Sequence, residues 1–152
     1  MKNDLPDDIR NFVIDSKDRI FFLTGHGQLL HYQLTVRNSC PELSFKEEIR
    51  HCAPVSNIYL SQDCLIINDD RTLTVSQDNR ILDSINIPEN KTVSQAICHG
   101  EYLLISFIEG GCIRYNLENG TSTELLQLPE KASIFTIYIG SQNILWVGTD
   151  GQ

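Results

Sequence analysis

The sequence predicts an all-β chain assembled from repeated four-stranded units, and three observations carry that prediction. Short apolar runs that break into polar turns recur at intervals of about forty residues, the period of a structural repeat. They are Ile20-Phe21-Phe22-Leu23, Cys64-Leu65-Ile66-Ile67, Tyr102-Leu103-Leu104-Ile105 and Ile144-Leu145-Trp146-Val147. Between them, strand-like runs follow one another every eight to twelve residues or so, separated by Gly, Asn and Asp turn signals. Finally, apolar character falls along each unit, from a continuously apolar second strand to a polar fourth one. A strand covered on both faces is apolar at consecutive positions, whereas one with a wet face alternates.

Taken in order, the opening residues to about Ile9 are acidic, carry Pro6 and read as an edge. The first unit begins at Asn11, has its apolar strand at Ile20-Phe21-Phe22-Leu23 and turns at Gly25 to Gly27. Leu43 to Glu48 is its polar fourth strand, although Lys46, Glu47 and Glu48 are good helix formers and leave a helix over Pro41 to Arg50 as the competing reading. The second unit has Cys64 to Ile67 before Asp69-Asp70 and ends in Arg80 to Ile85. In the third, the four strands are Val93 to Cys98, Tyr102 to Phe107, Cys112 to Leu117 and Thr121 to Leu126, with Glu118-Asn119-Gly120 as a hairpin signal. The fourth supplies two strands, Ile134 to Ile139 and Ile144 to Thr149. Placing Trp146 over Phe22 without a gap aligns the units on Phe22, Ile66, Leu104 and Trp146.

Four-stranded units whose inner strands are covered twice and whose outer strand meets water are the blades of a β-propeller. The blades run from about 9 to 51, 55 to 90 and 93 to 131, with a partial one over 133–152, and Pro54, Pro88 and Pro129 sit at the joints. The strand count gives a partial β-propeller of about three and a half four-stranded antiparallel blades. An open arc leaves an apolar face bare at each end, so further blades from a longer parent chain are expected as partners.

Composition and motifs narrow the function. With 12 Lys and Arg against 20 Asp and Glu, the formal charge of −8 offers no footprint for nucleic acid. No apolar run approaches the roughly 18 residues of a membrane helix, and Met1 to Asp8 lacks the apolar core of a secretory signal, so this segment is expected to make no membrane contact itself. The five cysteines, Cys40, Cys52, Cys64, Cys98 and Cys112, form no spaced framework; Cys64 and Cys112 lie in apolar strands and read as small core residues.

His26, His31, His51 and His99 have no chelating spacing, and His51-Cys52 and Cys98-His99 are strand neighbours that point to opposite faces. Asp69-Asp70 and Asp150-Gly151 lack the ligand pattern of a calcium loop. Glu47-Glu48 and Asp7-Asp8 cannot face one cleft as adjacent residues of a strand, which argues against glycoside hydrolysis. Gly25 to Gly27 and Gly110-Gly111 are not phosphate loops, since no helix or lysine follows in place. Asn90-Lys91-Thr92 and Asn119-Gly120-Thr121 match a glycosylation acceptor pattern that matters only in a eukaryotic secreted protein. Phe22, Tyr115 and Trp146 could stack on sugars, but their repeat positions favour packing between blades. The expectation is therefore no catalytic residues, no metal and no cofactor, with ligand contacts in loops that the sequence does not single out.

The run Asn143-Ile144-Leu145-Trp146-Val147-Gly148-Thr149-Asp150-Gly151 resembles the two-component regulator propeller repeat, in which an apolar-Trp-apolar-Gly-Thr strand enters a glycine turn. Gly110-Gly111-Cys112-Ile113-Arg114-Tyr115-Asn116-Leu117-Glu118-Asn119-Gly120 is similar to that repeat's continuation; the first unit keeps Gly27, Leu30 and Tyr32, and the second has lost its aromatic and its glycines. The resemblance implies a ligand-sensing segment from the periplasmic half of a membrane-anchored hybrid two-component regulator, of the kind found in gut bacteria related to Bacteroides, which detects glycan breakdown products. Its ligand would be an oligosaccharide, and its parent a sensor histidine kinase. No stretch here resembles a phosphoacceptor helix, an ATP-binding glycine box or a receiver domain. The alternative is a cytosolic scaffold of WD40 type that binds proteins; free cysteines suit it, while the lack of Trp-Asp strand ends and Gly-His starts does not.

Overall fold

The computed structural model describes residues 5–129 and 132–150. Met1 to Asp4, Lys131 at the end of the third unit and Gly151-Gln152 of the final turn lie outside the described residues. Sheet 1 comprises β1 (Ile9–Ile14), β2 (Arg19–Thr24), β3 (Leu29–Arg37) and β4 (Cys40–Ile49). In sheet 2 are β5 (Asn57–Ser61), β6 (Cys64–Asn68), β7 (Thr72–Gln77) and β8 (Arg80–Asn86). Sheet 3 holds β9 (Val93–His99), β10 (Tyr102–Phe107), β11 (Gly111–Asn116) and β12 (Ser122–Gln127), and sheet 4 holds β13 (Ile134–Ile139) and β14 (Leu145–Thr149). Each sheet is an antiparallel meander in sequence order. The helix considered for residues 41–50 is absent: β4 pairs with β3 from Arg37↔Cys40 to Leu29↔Ile49, and cross-strand contacts override helix propensity.

The first strands β1, β5, β9 and β13 lie side by side, so the sheets fan outward from them as successive blades. Burial follows the predicted gradient. β6 is buried at every position, whereas the outer strands β8 and β12 are largely exposed.

Three apolar layers join the sheets. Phe21, Leu23 and Leu29 meet Ile58, Leu65 and Ile67 between sheets 1 and 2. Between sheets 2 and 3, Ile66, Leu73 and Val75 meet Ala96, Leu103 and Ile105. Leu104 and Cys112 meet Ile134 and Ile137 between sheets 3 and 4.

Among the described residues no further sheet covers the outer face of sheet 1 or of sheet 4. On sheet 1, Phe12, Phe22, Tyr32 and Phe45 form a ladder of rings with centroids 6.1, 5.3 and 5.4 Å apart. Phe22 and Tyr32 are buried within that ladder, while Phe12 and Phe45 are each 55% exposed. On sheet 4, Tyr138 and Trp146 are 65% and 62% exposed. Trp146 was expected to pack between blades; among the described residues no sheet covers its face.

One alignment is corrected. Ile66 and Leu104 face the next sheet, but Phe22 faces away from sheet 2, and Phe21 and Leu23 do the packing there. A one-residue slip in a strand exchanges its faces, and in a continuously apolar run it leaves the hydropathy pattern unchanged.

The turns after β2, β6 and β10 share one device. Their main-chain carbonyls receive the segment leading to the next sheet: Val55 N–H donates to Gly27 O (3.0 Å), Ile87 N–H to Arg71 O (2.8 Å) and Leu128 N–H to Gly110 O (2.8 Å). Gly27 and Gly110 have φ of +79° and +85°, and a Cβ there would lie 2.8 Å from Pro54 Cβ and 2.6 Å from Ala132 O, respectively. Sheet 2 places Asp70 at φ +69° instead. Its turn is held by side chains, with Asn68 Oδ1 accepting from Asp70 N–H (2.9 Å) and Asp69 Oδ1 from Arg71 and Thr72 N–H (3.0 and 2.6 Å). This explains how the second unit manages without its glycine.

Candidate functional site

A first strand has one edge paired within its sheet and the other facing the neighbouring blade, where its main-chain polar groups need partners. Amide side chains supply several. Asn11 Nδ2 donates to Asn57 Oδ1 (2.9 Å) and to Ile58 O (3.2 Å). Ser61 Oγ donates to Cys98 O (2.9 Å), and Gln62 Oε1 accepts from Gly100 N–H (3.0 Å). Gln95 Oε1 accepts from Ile137 N–H (2.9 Å) and Thr136 Oγ1 (2.7 Å). These clasps line a groove of 790 Å³ along the first strands, whose C-terminal end presents His99, Tyr138, Ser141 and Asn143. Tyr59 lies in its wall; burial pushes the phenol above its ordinary pKa, against hydrogen bonds with Asn68 and Asn57. Beside the clasp residues, whose polar groups are engaged, the groove is walled by apolar side chains such as Val13, Leu60, Ile97 and Ile139 and by the polar side chains of Tyr59, His99, Tyr138, Ser141 and Asn143.

A second cavity, of 480 Å³, opens between sheets 1 and 2 over an apolar floor of Phe21, Leu60, Leu65 and Ile67. At one end of it the buried Asp15 accepts from Arg19 Nε (2.5 Å) and from the Lys17 and Arg19 main-chain N–H groups (2.9 Å each). Arg19 and Lys17 also bind Asp78 of the β7–β8 turn, and Ser16 donates to Asp63. Lys17 holds the Asp78 carboxyl below its usual pKa, and the Ser16 hydroxyl and amide do so for Asp63. The sheet 1–sheet 2 junction is therefore latched by charge, and its polar groups are engaged with each other.

The structure also brings together three residues that sequence spacing does not connect. His51 Nδ1 lies 3.4 Å from Asp69 Oδ2, and His51 Nε2 lies 3.4 Å from Thr74 Oγ1. The order acid, imidazole, hydroxyl is that of a hydrolytic triad. Thr74, however, sits inside β7, paired with Ile67 on one side and Ser84 on the other, so its neighbouring N–H groups serve the sheet rather than an oxyanion. The trio anchors the 50–56 connection onto sheet 2. Burial alone would raise the Asp69 carboxyl, but the Thr72 and Arg71 amides, the Thr72 hydroxyl and His51 together hold it below the ordinary carboxylate range.

The other residues considered from sequence do not converge. Glu47 and Glu48 both border the cavity between sheets 1 and 2, contrary to the expectation that neighbours on a strand share no cleft, but their carboxylates turn to different partners, His31 and Gln28 (3.4 Å each). Asp8 lies near the exposed His26 at 3.7 Å. Asn119 Oδ1 accepts from Thr121 N–H and Oγ1, closing a turn. Cys64 and Cys112 are buried in the core as expected, and Cys98 is buried as well. Tyr115 is half-buried and donates to Asp83 Oδ2 (2.9 Å), bridging sheets 2 and 3. Among the described residues no group of three His, Cys, Asp or Glu side chains could hold a metal ion, and no helix is long and apolar enough to cross a membrane.

Successive four-stranded meanders fanning from adjacent first strands define this chain as part of a β-propeller, and solved structures with the same arrangement agree. The crystal structure of Hsv2 from Kluyvelomyces marxianus superposes with a TM-score of 0.57 at 11% identity, over 93% of this chain and 60% of that one. BBS1N, crystallised with ARL6DN, gives 0.62 at 15% identity, over 91% and 43%. The WD40 domain of SCAP from fission yeast gives 0.51 at 11%, over 86% and 38%. The chain thus spans less than two thirds of each of these structures, and at such identities they speak to fold alone. More particularly, residues 127–151 match the two component regulator propeller family. That stretch holds β13 and β14 with the Trp146-Val147-Gly148-Thr149 motif. No curated protein matches the chain.

Proposed function

We propose that this chain is a ligand-sensing propeller segment of a bacterial two-component regulator, which detects glycan breakdown products by binding rather than by catalysis. The observation that carries the reading is the match of residues 127–151 to the two component regulator propeller, embedded in an arc of equivalent sheets. The groove along the first strands supports it, because the His99, Tyr138, Ser141 and Asn143 side chains at its C-terminal end, set beside apolar walls, suit the hydroxyl-rich, neutral surface of an oligosaccharide. On this reading the groove is completed by further blades of the same parent, which is anchored in the membrane with this segment in the periplasm. Ligand binding would reach a histidine kinase elsewhere in that parent.

The gene tests it. An export signal upstream, with a membrane helix and a kinase downstream, is the expected arrangement; a parent lacking all three overturns the sensor reading. Calorimetry of this chain against a panel of glycan fragments tests the shared groove. Binding by the chain alone is expected to be weak or undetectable, and micromolar affinity would contradict a site assembled from more blades than are present here.

A further inference from the structure

We propose that Cys64 and Cys98 are a disulfide-forming pair that cross-links sheets 2 and 3. Cys64 is the first residue of β6 and stands opposite Ser61 of β5, so both side chains leave the same face of sheet 2, toward sheet 3. From that face the Ser61 hydroxyl reaches Cys98 O at 2.9 Å. Cys98 in turn stands opposite Leu103 and shares that residue's face, toward sheet 2. Both cysteines belong to the one apolar layer between these sheets, at 7% and 2% exposure. Cys112 lies in the next layer, between sheets 3 and 4, while Cys40 and Cys52 are exposed. Facing strands of adjacent blades thus bring two thiols together that are far apart in sequence, and nothing in the cysteine spacing announces it.

The chemistry is thiol–disulfide exchange with a small-molecule disulfide such as glutathione disulfide. The thiolate of one cysteine attacks a sulfur of the reagent, its S–S bond breaks and one glutathione thiolate departs. The second cysteine, its proton lost to solvent, attacks the protein sulfur of the mixed disulfide and expels the other glutathione. The two protein thiols give up two protons and two electrons, and the reagent is reduced to two thiols. In the folded chain burial raises both thiols above the ordinary range, which leaves little thiolate and no access for the reagent. The bond therefore forms as the sheets come together during folding, or when they open. In an oxidising compartment it staples sheet 2 to sheet 3; in a reducing one the pair stays a buried dithiol.

The test is refolding of the reduced, denatured chain with and without a glutathione disulfide and glutathione mixture, followed by alkylation of free thiols. A digest with trypsin, Asp-N and Glu-C resolves the cysteines, because cleavage before Asp63 separates Cys52 from Cys64 and cleavage after Glu101 separates Cys98 from Cys112. The expected result is one bridge, Cys64 to Cys98, with Cys40, Cys52 and Cys112 alkylated. Closing a loop of roughly 34 residues should raise the unfolding midpoint by roughly 10 °C over the same sample reduced with dithiothreitol. Cys112→Ala should keep both the bridge and that difference, and Cys98→Ala should lose both. Recovery of alkylated Cys64 and Cys98 from chain refolded with the disulfide reagent, pairing of either with another cysteine, or a bridged form whose midpoint does not rise would overturn the proposal.

Discussion

Gln95 makes the clearest quantitative test of how the blades are joined. Its Oε1 is the acceptor for Ile137 N–H and for Thr136 Oγ1 across the sheet 3–sheet 4 boundary. Ile137 is 1% exposed with Gln95 in place; in Gln95→Ala its N–H loses its acceptor at the groove wall, and an orphaned donor that groove water reaches only in part costs about 1–3 kcal/mol. Thr136 is exposed and can bind water instead, which limits its share to about 0.5 kcal/mol. The sum, about 1.5–3.5 kcal/mol, falls on sheet 4, which otherwise rests on the small layer around Leu104, Cys112, Ile134 and Ile137. Native-state hydrogen exchange reads this directly: amides of β13 and β14 should lose protection by roughly ten- to a few hundredfold, while those of β6 and β7 change little. Gln95→Glu retains an acceptor oxygen and should recover most of the loss. Unchanged exchange in β13 and β14, or a loss spread evenly over all four sheets, would refute the clasp.

Three further outcomes follow from the same geometry. Gly110→Ala should destabilise by about 3 kcal/mol in urea titrations, because its Cβ would lie 2.6 Å from Ala132 O at φ +85°; Gly100→Ala, at φ +59° with no atom within 4 Å, should cost only about 1 kcal/mol. The Asp69 carboxyl is held below its ordinary pKa, so its contribution is present above the unfolded-chain value and is lost as pH falls through the folded one. Asp69→Asn should therefore cost stability in denaturant titrations at pH 6, with the gap to the parent closing below about pH 4, and a gap independent of pH would count against this. Phe12 and Trp146 each expose an aromatic ring on a bare end face, so the chain should self-associate in light scattering as concentration rises, and the double change Phe12→Ser, Trp146→Ser should shift it toward the monomer.

Much of the architecture was legible because it is written locally. Val93 to Gln127 alternates, turns and grades in polarity as four strands of a blade do, and the strands form within a residue or so of their expected bounds. Gly148 in the Trp-Val-Gly-Thr motif is explained by its cross-strand partner, since a Cβ there would lie 2.5 Å from Thr136 Cγ2. Contacts between distant segments, those lining the groove included, were not legible in the same way. His51, Asp69 and Thr74 look like a joint residue, a turn former and a strand residue, and only the return of the chain from β4 to sheet 2 places them together.

By itself, then, the sequence determined the strand order, the meander within each sheet and the number of sheets, because apolar periodicity and turn chemistry act between residues a few positions apart. Only the tertiary structure decided which face of a continuously apolar strand meets which neighbour, and so set Phe21 rather than Phe22 against sheet 2 and left Trp146 exposed. It also decided that Gln95 clasps Ile137 and that Cys64 meets Cys98. Both contacts cross between sheets, where the relative placement of two folded surfaces, and no local pattern, selects the partner.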